Sequence, residues 1–113
     1  MQPNQSQDQS PHKNSHFVHL RLANGADYEG EVYEGKPQGR GKLKYSNSER
    51  YEGDFFQGMK HGKGKYYYMK GELYIGDWFQ NKKHGNGQYF YSNGTIYTGE
   101  FADNKKQGHG RIE

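Results

Sequence analysis

The sequence predicts an all-β chain: an elongated, twisted antiparallel sheet, a meander of tandem 23-residue β-hairpins. Three observations carry this. Tyr28, Tyr51, Tyr74 and Tyr97 stand 23 residues apart, and glycines follow each at the same offset (Gly30, Gly53, Gly76, Gly99). A fixed period of this length marks a repeat architecture. Within each unit apolar and polar residues alternate, as in Tyr51-Glu52-Gly53-Asp54-Phe55, and a period of two belongs to strands. Finally, the chain is 29% hydrophobic but 16% aromatic, with 11 Tyr, 6 Phe and 1 Trp. That is too little aliphatic material for a thick two-layer core, but enough rings to cover one face of a sheet.

Residues 1–16 are rich in Gln, Asn and Ser and read as a flexible tail. Residues 17–27 fit the second half of a repeat, with Leu20, Leu22 and Gly25 at the positions of Tyr66, Tyr68 and Gly71. Full repeats follow at 28–50, 51–73 and 74–96, and a truncated one at 97–113. In each, a large apolar residue follows on the first strand (Val32, Phe55, Trp78, Phe101), and paired glycines such as Gly62 and Gly64 come after it. Gly58-Met59-Lys60-His61-Gly62 has the composition of a hairpin loop, and Ser92-Asn93-Gly94 of the turn between hairpins. Glycines inside strands weaken them unless something fills the space; the expectation is that neighbouring rings lie over the bare backbone. Because the chain stops early in its last hairpin, Gly99 to Phe101 is expected near an open sheet edge.

The chain has no cysteine, which removes disulfides and thiolate metal sites and makes a reducing compartment the default. No apolar run approaches the ~18 residues of a membrane span, and residues 1–16 lack the apolar stretch of a secretory signal. The expectation is a soluble, intracellular protein. The net charge of +3 is spread thinly over the repeats, unlike the basic face of a nucleic-acid binder, so no nucleic acid is expected.

The stretch YEGDFFQGMKHGKGKYYYMKG from Tyr51, echoed as YIGDWFQNKKHGNGQYFYSNG from Tyr74, resembles the MORN repeat (membrane occupation and recognition nexus). The resemblance covers residues 28–113. Val32 and Ala102 are smaller than the pattern has, Asn81 and Asn104 replace one glycine, and Ser48 replaces another. The resemblance implies an aromatic-lined groove, a scaffold or adaptor role in cytoskeletal or ciliary (axonemal) assemblies, and a link to acidic phospholipids.

Three features invite a catalytic or ligand-binding reading, and each has a simpler one. The carboxylates Glu31, Asp54, Asp77 and Glu100 recur once per repeat on the face opposite the tyrosines. Reflecting each hairpin about its loop sets Glu31 near Lys42, Asp54 near Lys65 and Glu100 near Arg111, while Asp77 faces Gln88; this is a cross-strand charge ladder. His61 and His84 share a repeat position, yet equivalent strands lie about 9.6 Å apart, too far to share a zinc ion. The Gly-x-Gly segments lack the following helix that a phosphate loop needs. The sequence calls for no enzyme, cofactor or metal.

The interaction surfaces are clearer. Tyr28, Tyr45, Tyr51, Phe55, Tyr66, Tyr68, Tyr74, Trp78, Tyr89, Tyr91, Tyr97 and Phe101 share one face and form the expected protein-binding groove. Phe56, Tyr67, Phe79 and Phe90 alternate out of phase and form a back patch. Lys36, Lys60, Lys82, Lys83, Lys105 and Lys106 are expected to line the hairpin tips as a basic edge. The expected function is a non-enzymatic scaffold that binds other proteins through the groove within a large complex. It is expected in the cytoplasm with the cytoskeleton or cilium. The alternative is a peripheral membrane protein that holds anionic phospholipid along the lysine edge.

Overall fold

The structure is a computed structural model and describes residues 16–113. These form nine strands and no helix: β1 (His16–Arg21), β2 (Asp27–Tyr33), β3 (Lys36–Lys44), β4 (Arg50–Phe56), β5 (Met59–Tyr67), β6 (Leu73–Phe79), β7 (Lys82–Phe90), β8 (Ile96–Ala102) and β9 (Lys105–Ile112). They pair in chain order into one open antiparallel sheet measuring 56 × 29 × 19 Å. The half repeat supplies β1, which begins at His16, the last residue of the expected tail; the rest of that tail lies outside the described residues.

The core occupies one face and is built from the repeat itself. Tyr28, Tyr51 and Tyr74 are fully buried, and each hydroxyl donates to the carbonyl three residues on: Glu31 (2.6 Å), Asp54 (2.7 Å) and Asp77 (2.8 Å). The ring therefore bends back across its own strand and the next. A Cβ on Gly64 would overlap the Tyr51 ring, and one on Gly87 the Tyr74 ring. This is the physical reason for the second glycine of each pair; the first, Gly62 or Gly85, takes a positive φ against the side chain of Asp54 or Asp77. Between tyrosines sit Phe55, Trp78 and Phe101, meeting them edge to face at centroid distances of 5.0–5.3 Å. Such pairs contribute ~0.5–1.5 kcal/mol each beyond the area they bury. An unbroken herringbone of rings thus runs from Tyr28 to Tyr97, crossing every repeat.

The hairpins are tighter than their composition suggests. The expected five-residue loop is a two-residue turn at Gln57 (φ 51) and Gly58 (φ 83), repeated at Gln80 (φ 49) and Asn81 (φ 72) and at Asp103 (φ 51) and Asn104 (φ 72). Positive φ at both central residues matches the twist of the flanking strands, and Asn tolerates that conformation as glycine does. The asparagines also do something glycine cannot. Asn81 Oδ1 accepts the Lys60 N–H at 2.9 Å, and Asn104 Oδ1 accepts the Lys83 N–H at 2.9 Å. In the first hairpin the equivalent residue is Pro37, which has no N–H, and there the adjoining turn has Gly58, whose N–H donates to the Pro37 carbonyl at 2.9 Å. Ser48 takes φ 79 and closes the same turn that Gly71 and Gly94 close elsewhere.

Met59 to Gly62 therefore belong to β5, and the register tightens through a bulge between Gly53 and Phe55. The cross-strand pairs become Glu29–Lys42, Glu52–Lys65, Ile75–Gln88 and Thr98–Arg111. This corrects the expected ladder by two residues. Glu31, Asp54 and Asp77 instead accept the backbone N–H groups that the bulges free: Arg40 (2.6 Å), Lys63 (3.0 Å) and Asn86 (2.9 Å). Asp54 and Asp77 also reach Arg40 (3.3 Å) and Lys63 in the preceding hairpin. The carboxylate row closes bulges and ties repeats together.

Among the described residues the outermost strands are β1 and β9. Gly99 to Phe101 is not at an edge, because β9 pairs along β8, with Ile96 and Glu113 exchanging hydrogen bonds at 2.8 and 2.9 Å.

Candidate functional site

The groove face divides by depth. Tyr28, Tyr51, Phe55, Tyr74, Trp78, Tyr97 and Phe101 are buried and form the herringbone core. Tyr45, Tyr66, Tyr68, Tyr89 and Tyr91 are half-buried and stand as a second, outer row. Ring centroids along that row are 5.8, 4.6, 5.5 and 4.7 Å apart in chain order. No second layer of the described chain covers it. Trp78, one of the expected groove residues, is 5% exposed and donates its indole N–H to the Gly64 carbonyl at 3.2 Å. It holds the sheet together, and the rings left half-buried on this face are the tyrosine row.

The basic edge splits in two. Lys36, Lys82 and Lys105 flank the turns, exposed, on the back of the sheet opposite Tyr33, Phe79 and Ala102. Lys60, Lys83 and Lys106 lie in the groove instead, because the tight turn puts them inside strands and opposite Phe55, Trp78 and Phe101. The Lys60 ammonium stands 5.5–5.8 Å from the rings of Tyr45, Tyr51, Tyr66 and Trp78 and donates to the Tyr45 hydroxyl at 2.8 Å. Lys83 repeats this with Tyr68 at 2.8 Å, and Lys106 with Tyr91. Past the last full hairpin, Lys83, Tyr89, Tyr91, Phe101 and Lys106 line an open pocket.

Glu49 and Glu72, which the sequence reading passed over, brace the far side of the tyrosine row. Glu49 accepts from the Tyr66 hydroxyl (2.8 Å) and the Met69 N–H (3.2 Å); Glu72 does so from Tyr89 (2.8 Å) and Ser92 (3.2 Å). They stand 23 residues apart, and that shared register is the signal that could have found them. With both oxygens of each engaged, the tyrosines are held upright from below.

Burial, reinforced by nearby Lys83, pulls the Lys60 ammonium down to about 8, and burial raises the Tyr45 phenol to about 12. The unfolded value for lysine is near 10.5. Between pH 8 and 10.5 the unfolded chain therefore binds more protons, and stability contributed by this site rises with pH across that window. Lys60→Met should accordingly raise the unfolding free energy read from urea titration at pH 7, by roughly 1–2 kcal/mol after allowance for solvent screening. That advantage should shrink as pH rises from about 8 to 10.5. A difference that stays constant with pH would show that the lysine costs nothing to hold there.

On the back, Phe56 and Phe79 are 44% and 48% exposed and alternate with His61 and His84 in a ring stack at 5.1–5.7 Å. The histidines thus sit on strands as packing partners, and the His61 Nδ1 accepts the Gln80 N–H at 3.3 Å. Tyr67 and Phe90 lie toward the opposite ends of their strands, paired with Leu73, and the Arg50 guanidinium covers the Tyr67 ring at 3.8 Å. The back patch is two strips rather than one surface.

The described residues form a repeat protein of the single-layer β-sheet class, with one ring-lined, open face. The MORN repeat family model matches at residues 28–50, 51–72, 74–96 and 97–113. The chain belongs to the MORN-repeat family, whose repeats mediate protein or membrane interactions. No curated protein matches the chain. Among the described residues no helix is long and apolar enough to cross a membrane.

Proposed function

We propose that the chain is a non-enzymatic scaffold or adaptor that binds partner proteins through the tyrosine row of its groove. In this reading it is a cytoplasmic subunit of a larger cytoskeletal or ciliary assembly. The observation that carries the binding role is the outer row itself. Five tyrosines are held in fixed orientations by Glu49, Glu72 and three lysines, on a face that no other described residue covers. Rigid, half-exposed tyrosines lose little entropy on binding and are favoured at interface centres. The cellular context rests on the habits of the family. The membrane alternative draws less support from this geometry, because the six lysines face two ways and cannot all meet one flat surface.

The test is affinity purification with the intact chain, followed by titration of each recovered protein against a Tyr68→Ala/Tyr91→Ala variant. A direct partner should lose at least ~2 kcal/mol of binding. Undiminished binding to a variant that still melts cooperatively would move the contact off the groove.

A further inference from the structure

The groove is apolar and also periodically cationic. Lys60, Lys83 and Lys106 recur on alternate strands β5, β7 and β9, hence about 9.6 Å apart along the sheet's long axis. An ammonium carries three donors, and each of these gives one to a tyrosine hydroxyl. The two carboxylates beside the row, Glu49 and Glu72, have both oxygens occupied by tyrosine hydroxyls and backbone N–H groups. Those bonds leave the carboxylates charged but fully occupied, so three ammoniums with free donors stand against two carboxylates, and the row is net positive by one charge over a floor of rings.

We propose that the groove takes an acidic amphipathic helix of another protein, lying along the long axis with one carboxylate for each of Lys60, Lys83 and Lys106. This rests on reading the groove as a protein-binding face.

The spacing selects the helix. Seven helical residues rise about 10.5 Å and return to nearly the same face, so heptad-spaced glutamates drift only about 2 Å from the lysines over the whole row. The positions three and four residues from each glutamate share its face and supply the apolar contact with the tyrosines. A polyproline helix also matches, at about 9.3 Å per turn, but it turns one residue in three toward the groove. Every facing position would then be acidic, with nothing to cover the rings. A β-strand repeats its face every ~6.7 Å and falls out of step. The exposed Lys36, Lys82 and Lys105 on the back take no part.

The probe is a synthetic helical peptide of about 21 residues, with leucines between heptad-spaced glutamates, and its partner with Gln for Glu. Binding to the full chain is followed by fluorescence anisotropy. The glutamate peptide should bind, should weaken as salt shortens the ~8 Å Debye length, and should weaken about tenfold in Lys60→Met/Lys83→Met/Lys106→Met. The glutamine peptide should bind wild type about as weakly as the glutamate peptide binds the variant. If the triple variant fails to melt cooperatively, Lys83→Met/Lys106→Met makes the same comparison, with about fivefold expected.

No binding of the glutamate peptide overturns the inference. Equal binding of both peptides, indifferent to the lysines but lost in Tyr68→Ala/Tyr91→Ala, overturns it and leaves the groove reading standing; indifference to both sets overturns that reading too. Lysine-dependent capture by phosphatidylserine vesicles with no peptide bound overturns it in favour of a membrane. Lysine-dependent self-association with no peptide bound overturns it in favour of a second copy.

Discussion

Gly53→Ala is expected to cost more than ~3 kcal/mol, a large share of the roughly 5–15 kcal/mol that holds a domain folded. Gly53 pairs directly with Gly64 across β4 and β5, and an added Cβ would overlap the Gly64 Cα, the Lys63 carbonyl and the Tyr51 hydroxyl. Two of these are backbone, so no rotamer change relieves the clash. Either the strands part, breaking the ladder, or Tyr51 leaves its place in the herringbone. The position is central, and in a repeat sheet each unit is stabilised mainly by its neighbours, so the damage divides the chain rather than fraying an end. Gly58→Ala is the control. Gly58 sits at φ +83 with nothing within 4 Å of its would-be Cβ, so only backbone strain of roughly 1–2 kcal/mol applies. Urea denaturation followed by circular dichroism gives both values. A Gly53→Ala midpoint no worse than that of Gly58→Ala would mean that the close approach of strands and ring does not exist.

The repeat, the number and pairing order of the strands, the face shared by the aromatic residues and the glycine beneath each tyrosine were all legible in the sequence. Each follows from period and parity alone. Loop length was not. Gly62, with φ +103, looks like part of a turn, and composition does not separate a five-residue loop from a two-residue turn followed by a bulge. Two further errors came from that one. The carboxylates were paired two residues out of register, and Lys60, Lys83 and Lys106 were placed at the tips when they stand in the groove. Parity held the correction: Lys60 is even-numbered like Gly64, Tyr66 and Tyr68, and extending β5 back to Met59 would have put it on their face. Depth was the other loss. Alternation says which side Trp78 and Tyr68 share, but not that one lies against the glycine pairs while the other rises at the strand's end. The asparagines at 81 and 104 looked like departures from the repeat. They answer a need that Lys60 and Lys83 have and Pro37 lacks, visible only once adjacent turns are seen side by side.

Trp78→Ala should destabilise the chain by ~3–5 kcal/mol, the range for removing a large buried ring. The indole is the link between the second and third full repeats: it meets Tyr51 and Tyr74 edge to face, each at 5.3 Å, and packs at 5.9 Å against Tyr66. Its loss empties the middle of the herringbone and also leaves the Gly64 carbonyl without its 3.2 Å donor. Because the cavity lies on an open face, part of it will fill with water and part with the Lys60 side chain, whose ammonium already stands 5.5 Å from the indole; this places the cost at the lower end of the range. Trp78→Phe is the informative comparison, since Phe55 and Phe101 occupy the same repeat position and meet their tyrosines at 5.0–5.3 Å. It should cost only ~1–2 kcal/mol, for one hydrogen bond and some packing. If Trp78 couples the two halves, Trp78→Ala should also lower the urea m-value, because the halves then unfold separately, while Trp78→Phe should not. A Trp78→Ala variant with the wild-type midpoint and m-value would show that the herringbone does not carry stability from one repeat to the next.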